Sequence, residues 1–237
     1  MSADAKVALV TGASRGLGRA VAERLGARGY HVYAVARTVG GLEELDDVIR
    51  GGGGAATLVP FDLGLAEEPD PLPGLAAKIM ERHGCLNVMF GAAGVMPPHS
   101  PVSHQGGDDW ERALRVNLGA ARRLVCHFEG LLRRGSRPRA FFVGDAMASE
   151  GRAYMSAYGV SKVAMEHLIC AWGRELRGSG VKAAVVYPPI FRSNLRRLGF
   201  PGEDQGEYVT AAEVADVFMG VMDADNFESG DKINLKN

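Results

Sequence analysis

Short continuous apolar runs recur along the chain, and between them apolar residues return every three or four positions. Val7–Val10, His31–Ala36, Ala55–Pro60, Leu86–Phe90, Ala140–Val143, Val181–Tyr187 and Lys232–Leu235 read as strands. Gly16–Ala27, Leu42–Ile49, Leu75–His83, Asp108–Arg134, Ala157–Arg177 and Thr210–Met222 read as helices. Asp108 is placed to cap the fourth of these, and Thr210 with Glu213 forms a capping box on the last. The acidic, proline-containing stretch Ala66–Gly74 reads as a loop, as does Gly51–Gly54. Strands that are apolar throughout are buried on both faces, and strands alternating with helices pair in parallel. The pattern therefore predicts an α/β fold, a doubly wound parallel sheet with helices on both faces. No linker or repeat divides residues 1–237, so one domain is expected.

Composition adds mainly exclusions. Net charge is −1, which gives no electrostatic case for nucleic acid or an anionic membrane surface. The three cysteines, Cys85, Cys126 and Cys170, form no close pair, as suits a reducing compartment. Residues 1–10, MSADAKVALV, lead into the first strand without a basic segment and apolar core, so no signal peptide is expected. No apolar run approaches the ~20 residues of a membrane-spanning helix. A cytoplasmic protein is expected.

In an open α/β sheet, ligands bind beyond the carboxyl ends of the strands. After the first strand comes Thr11–Gly18, TGASRGLG, which leads directly into a helix. Gly12 can take a positive φ, while Gly16 and Gly18 allow backbone to approach a ligand closely. The new helix aims unpaired N–H groups and its positive dipole end at the same place. Gly12, Ser14, Arg15, Gly16, Leu17 and Gly18 are thus candidate contacts to a dinucleotide pyrophosphate, in a Rossmann-type arrangement. After the second strand, the position that often carries an acid for a ribose hydroxyl holds Arg37. A guanidinium binds a 2′-phosphate where a carboxylate repels it, and Arg15 offers a second cation, so NADPH is the expected cofactor. Asp62 and Leu63 follow the third strand, Ala93 and Gly94 the fourth, Asp145 the fifth, and Pro188 and Ile190 the sixth. Tyr158 and Lys162 stand four residues apart on one helix face. An ammonium beside a phenol stabilises phenolate and lowers the phenol pKa, which makes the tyrosine a usable acid or base.

Together these residues resemble the short-chain dehydrogenase/reductase family in its single-domain form, from Val7 to about Ile233. Thr11–Gly18 is similar to the family's TGxxxGxG turn, and Asp62 to the acid that binds adenine. Ala92-Ala93-Gly94 is similar to most of its NNAG segment, Asn117 to the asparagine of its catalytic tetrad, and Tyr158 with Lys162 to its YxxxK pair. Pro188 and Ser193 are similar to the proline and threonine of its PGxxxT segment. The resemblance implies that Tyr158 protonates a carbonyl oxygen as hydride arrives, and that Lys162 holds the nicotinamide ribose and tunes Tyr158. It implies that Asn117 holds a water linking Lys162 to solvent, and that Ile190 and Ser193 orient the carboxamide. A homo-dimer or homo-tetramer built on the two long helices is likewise implied.

Three positions depart from the family pattern. Asp145 stands where the family has its catalytic serine, Gly91 where it has asparagine, and Pro189 where it has glycine. An ionised aspartate only accepts hydrogen bonds, whereas serine donates one. Asp145 is therefore protonated, or accepts from a substrate hydroxyl, or marks a site without ordinary ketoreduction; a shifted loop bringing in Ser149 is a further option. The expected activity is NADPH-dependent reduction of a small or medium-sized hydroxylated or cyclic ketone. The alternatives are a nucleotide-binding regulator or assembly subunit with little turnover, and an epimerase or dehydratase using Asp145. Val95–Gly107 and Phe191–Glu207 should flank the cleft mouth. His99 and His104 there read as loop histidines, with no zinc-ligand cluster around them. Tyr154 lines the pocket or packs, and Arg192, Arg196 and Arg197 meet an acidic substrate or a carrier-protein phosphate, or form a solvated helix face.

Overall fold

The structure, a computed structural model, describes residues 6–65 and 70–235. Its elements run β1 (Val7–Thr11), α1 (Gly16–Ala27), β2 (His31–Ala36), α2 (Val39–Gly51), β3 (Ala55–Pro60), α3 (Pro71–His83) and β4 (Val88–Gly91). Then come α4 (Gly107–Ala113), a π-helical segment (Leu114–Gly119), α5 (Ala120–Leu132), β5 (Arg139–Val143), α6 (Ser156–Glu175), β6 (Lys182–Tyr187), α7 (Asn194–Gly199), α8 (Ala211–Ala224) and β7 (Lys232–Asn234). The seven strands pair in parallel in the order β3-β2-β1-β4-β5-β6-β7. This is the expected doubly wound sheet, and its order reverses between β1 and β4.

Two cores follow from strand alternation. Val7 and Leu9 of β1 point to the face covered by α3, α5 and α6. Ala8 and Val10 point to the face covered by α1, α2 and α8. Phe141 and Phe142 of β5 divide in the same way, Phe141 packing against Phe218 of α8 with ring centroids 5.0 Å apart. Apolar side chains thus fill both faces, which is why the strand runs lack polar alternation.

Two expected elements differ in the structure. The loop over Ala66–Gly74 is helical from Pro71, while residues 66–69 lie outside the described residues. Asp70 caps α3 by accepting from Leu72 N at 3.1 Å. Prolines in a first turn remove only N–H groups that have no intrahelical partner, so Pro71 and Pro73 start this helix rather than break it. The single helix over Asp108–Arg134 is three pieces. Gly106, not Asp108, is the N-cap residue, and Asp108 and Asp109 sit in the first turn facing the positive dipole end. The π-helical segment then carries Asn117. The capping box on α8 forms as expected: Glu213 N donates to Thr210 Oγ1 at 3.2 Å, and Thr210 N to Glu213 Oε2 at 2.7 Å.

Gly91, the last residue of β4, pairs in register with Phe142. A Cβ at 91 would run into the Phe142 ring, which is 2 % exposed. Gly91→Ala is therefore expected to destabilise the fold by about 1–3 kcal/mol, the usual cost of overpacking. Denaturant unfolding would measure it, and Phe142→Leu in the same chain should recover part of the loss.

His31, Tyr33 and His83 cluster at the start of β2, with ring centroids 4.9–5.7 Å apart. His31 Nε2 lies 2.8 Å from Thr57 Oγ1. Burial, and then the neighbouring His83 and Arg82, pull the His31 pKa from 6.5 down to about 4. The unfolded chain takes up this proton first as pH falls. Stability from a neutral His31 is thus complete above about 6.5 and is lost progressively toward about 4. Melting temperature is expected to fall between pH 7.5 and 5, and less steeply in His31→Gln.

Candidate active site

A cleft of about 670 Å³ opens beyond the carboxyl ends of the strands, at the reversal of strand order. Its walls include the turn after β1, the ends of β2 through β6, the first turn of α6, and α7. Gly12, at φ +68°, turns the chain out of β1. A Cβ there would lie 2.9 Å from the backbone of Ala92 and Ala93, so the loops after β1 and β4 touch. Gly16, at φ +57°, has nothing within 4 Å of where its Cβ would stand. A Cβ on Gly18 would strike the Gly12 carbonyl. Arg15 precedes α1 and its side chain caps nothing, so the first amides of α1 keep their donors for the cleft.

At this end the cations are arranged around one carboxylate. Arg37 and Arg112 each hold Asp62 Oδ2 at 3.6 Å, and Arg15 donates to Thr38 Oγ1 at 3.2 Å. Asp62 Oδ1 accepts from Gly64 N at 2.8 Å. Arg112 reaches the cleft from α4, and no motif in the sequence marks it.

At the other end Tyr158 and Lys162 are 3 % and 5 % exposed, and both face the cleft. The Tyr158 hydroxyl donates to Asp145 Oδ2 at 2.7 Å, and Met147 N donates to Asp145 Oδ1 at 2.9 Å. Both Asp145 oxygens thus act as acceptors. The Lys162 ammonium donates to the Val143 carbonyl at 2.8 Å. This corrects the expectation of a phenol with lowered pKa. Burial first, then the Asp145 charge and its hydrogen bond, push Tyr158 well above its ordinary value. Burial pulls Lys162 below its ordinary value, against the opposing effect of Asp145 and Glu166.

Asn117 stands behind Lys162 rather than in the main cleft, beside a void of about 10 Å³ that Lys162 also lines. Its amide pairs with the Val95 backbone, accepting from N at 2.8 Å and donating to O at 2.9 Å, and donates to Ser161 Oγ at 2.8 Å. The π-helical segment presents it there; such segments recur at functional sites.

Gly12, Ser14, Arg15, Gly16, Leu17, Gly18, Arg37, Asp62, Leu63, Ala93, Gly94, Pro188, Ile190 and Ser193 all line the cleft. Ser193 has a structural task as well: its Oγ accepts from Arg196 N at 3.1 Å and caps α7, the short helix that carries Arg196 and Arg197. Ser149 is exposed and donates to the Ala146 carbonyl at 3.1 Å, so the shifted-loop option is not realised. Tyr154 is 58 % exposed and points outside the cleft. Arg196 is neither solvated nor unpaired. It is ion-paired with Glu203 and stacks 3.7 Å over the Phe200 ring. Arg192 donates to the Tyr208 carbonyl at 2.7 Å and the Gly206 carbonyl at 2.6 Å. His99 packs on Phe200, 5.1 Å between centroids, and no group of three metal-ligating side chains gathers among the described residues. Glu166 escaped the sequence reading, although it lies one turn beyond Lys162 on the same face of α6. Tyr187 Oη donates to it at 2.7 Å.

The comparisons with known proteins agree with this architecture. The model of the short chain dehydrogenase family matches residues 6–203. The 3-oxoacyl-(acyl-carrier-protein) reductase FabG of Salmonella typhimurium is 26% identical over 197 residues, covering 83% of this chain and 78% of that protein. A short chain dehydrogenase structure from Pseudomonas syringae superposes with a TM-score of 0.92 at 28% identity, over 98% of this chain and 94% of that one. A short chain dehydrogenase from Escherichia coli CFT073, complexed with NADPH, shares the fold with a TM-score of 0.89 at 24% identity, over 98% and 97% of the two chains. The glycine turn at the strand-order reversal, the Tyr158–Lys162 pair on α6 and the family match together place this chain in the short chain dehydrogenase family of oxidoreductases.

Proposed function

We propose that the protein is an NADPH-dependent carbonyl reductase of a small or medium-sized hydroxylated or cyclic ketone, with residues 1–237 acting as one dinucleotide-binding domain. The observation that carries this reading is the Tyr158 hydroxyl, held protonated at the cleft beside the buried Lys162 ammonium. A dinucleotide suits the cleft because its volume of about 670 Å³ lies in the range of small-molecule sites and the open side of Gly16 admits a pyrophosphate. The amides opening α1 would bind that pyrophosphate, and Arg15 and Arg37 a 2′-phosphate. Each guanidinium has five donors, so the long Arg37–Asp62 pair at 3.6 Å leaves donors for a phosphate. When bound, NADPH supplies the hydride.

The protein supplies the proton and the geometry. Reduction requires Tyr158 to start as the acid, and its raised pKa keeps it so at neutral pH. A carbonyl oxygen entering the cleft takes over the Tyr158 hydrogen bond from Asp145. As hydride arrives, negative charge grows on that oxygen and raises its basicity, which draws the proton from Tyr158. Asp145 then accepts from a substrate hydroxyl, which favours hydroxylated ketones. Lys162 stands to hold the ribose and to restore charge balance as phenolate forms. The void beside Asn117 and Lys162 has roughly the volume one water needs, which supports a water-borne route for reprotonation.

The same Tyr158–Asp145 bond favours a second reading, a nucleotide-binding protein with little turnover whose acid is engaged internally; Asp145 as a base in epimerisation or dehydration is its catalytic variant. A homo-dimer or homo-tetramer through α5 and α6 belongs to the main reading, since α6 leaves Val160 47 % and Val163 39 % exposed. So does a cytoplasmic location, in keeping with the absence of a helix long and apolar enough to cross a membrane among the described residues.

NADPH oxidation across a panel of hydroxylated and cyclic ketones is expected to show turnover that Tyr158→Phe lowers by about a hundredfold or more. Tight NADPH binding with no turnover on any ketone, and no gain in Asp145→Ser, would move the reading to the binding protein. Arg37→Ala is expected to raise KM for NADPH about tenfold, the scale of one charge-assisted phosphate contact, and to leave KM for NADH nearly unchanged. Equal losses for both cofactors would remove Arg37 from the 2′-phosphate site.

A further inference from the structure

Glu166 is a buried carboxylate, 0 % exposed, on a helix whose neighbouring buried positions Met165 and Ile169 are apolar. An ionised group at such depth is costly unless it is paired and hydrogen-bonded. Glu166 has three partners, each from a different segment. Tyr187, at the end of β6, donates to Oε2 at 2.7 Å. Lys232 of β7 reaches the same oxygen at 3.2 Å with an ammonium arm that is 49 % exposed. The Asp145 backbone N–H donates to Oε1 at 3.3 Å. The preceding residue is glycine for a matching reason: a Cβ on Gly144 would lie 3.0 Å from Glu166 Oε1 and 2.7 Å from the Tyr187 ring. The carboxylate therefore fills the space beneath the Gly144–Asp145 peptide and ties it to two strand ends.

We propose that Glu166, neutralised by Lys232, is a positioning residue that holds the Gly144–Asp145 peptide so that the Asp145 carboxylate meets the Tyr158 hydroxyl. Glu166 touches neither a substrate nor the phenol; its charge is felt at Tyr158 through space, and its positioning effect runs through the Asp145 backbone. Tyr158, Lys162 and Glu166 recur one turn apart on α6, so one rigid helix sets both the phenol and the anchor for its partner. Lys232 ties that anchor to the sheet edge. The functional importance of the arrangement rests on the reductase reading, but the positioning itself does not.

The test is carbon-13 NMR of the full chain labelled at tyrosine Cζ. There are six tyrosines. Tyr158→Phe and Tyr187→Phe assign the two lines of interest. Glu166→Met, which keeps length and removes both acceptors, is expected to displace the Tyr158 line as well as the Tyr187 line. Glu166→Gln loses the charge but keeps an oxygen for the Asp145 N–H, and is expected to displace the Tyr158 line clearly less than Glu166→Met does. Lys232→Met leaves the core untouched and is expected to move the Tyr158 line in the same direction by less, which decides the matter should Glu166→Met fail to fold. In turnover, Glu166→Met is expected to lower kcat about tenfold or more through misplacement, with KM for NADPH within about twofold, and Glu166→Gln to recover most of the loss. A Tyr158 line unmoved in both methionine variants, or moved as far by glutamine as by methionine, overturns the proposal. Should the wild-type chain reduce no ketone, the NMR lines still decide it, so loss of the reductase reading is separable from loss of this one.

Discussion

The cleft depends on one close backbone approach, where Gly12 meets Ala92 and Ala93. A Cβ at Gly12 would stand 2.9 Å from those backbone atoms, so any side chain there would push the loops after β1 and β4 apart. These loops leave adjacent strands and then run in opposite directions, because the strand order reverses between β1 and β4. Their separation sets the width of the crevice in which a ligand lies. Gly18 carries the constraint into α1, since its missing Cβ lets the first helical turn sit on the Gly12 carbonyl. Strand β1, buried along its whole length, anchors both relations from beneath.

The opposite wall is held by polar contacts rather than by glycine packing. The π-helical segment turns Asn117 toward Val95 and Ser161, and Ser161 Oγ in turn donates to the Tyr158 carbonyl at 2.8 Å. Glu166 holds the turn after β5 and the end of β6. Ser193 caps α7, whose Arg196 is clamped between Glu203 and Phe200. These are buried or half-buried hydrogen bonds, directional and costly to break, and they suit a wall that must present side chains at set distances.

The legible and hidden parts of the molecule divide along the same line. The sheet was legible because strands buried on both faces must be apolar where they are buried, as Ala183–Val186 is. The glycine turn was legible because its place between a strand and a helix gives each glycine a physical task. The first turn of α3, from Pro71, was hidden because proline reads as a breaker, although a first turn tolerates it; the rest of that helix was read from Leu75. The π-helical interruption around Asn117 was hidden because one extra residue barely disturbs a helical hydrophobic period. Arg112 was hidden because its partner Asp62 comes from a remote segment. Asp145 stood out in the sequence, but not its partner: whether its carboxylate meets Tyr158, solvent or a substrate depends on the turn that Glu166 holds.

That partner bears on where the Tyr158 proton sits. Near Tyr158 the Asp145 and Glu166 charges both act on Lys162, and Glu166 also meets Lys232. A neutral hydroxyl in place of the Asp145 carboxylate would remove a charge that raises the Tyr158 pKa. With the carboxylate present, burial and the 2.7 Å hydrogen bond both hold the proton on the phenol. The Asp145 carboxylate, at the position where the resemblance implies a serine, therefore adds to burial in keeping the proton on the Tyr158 hydroxyl.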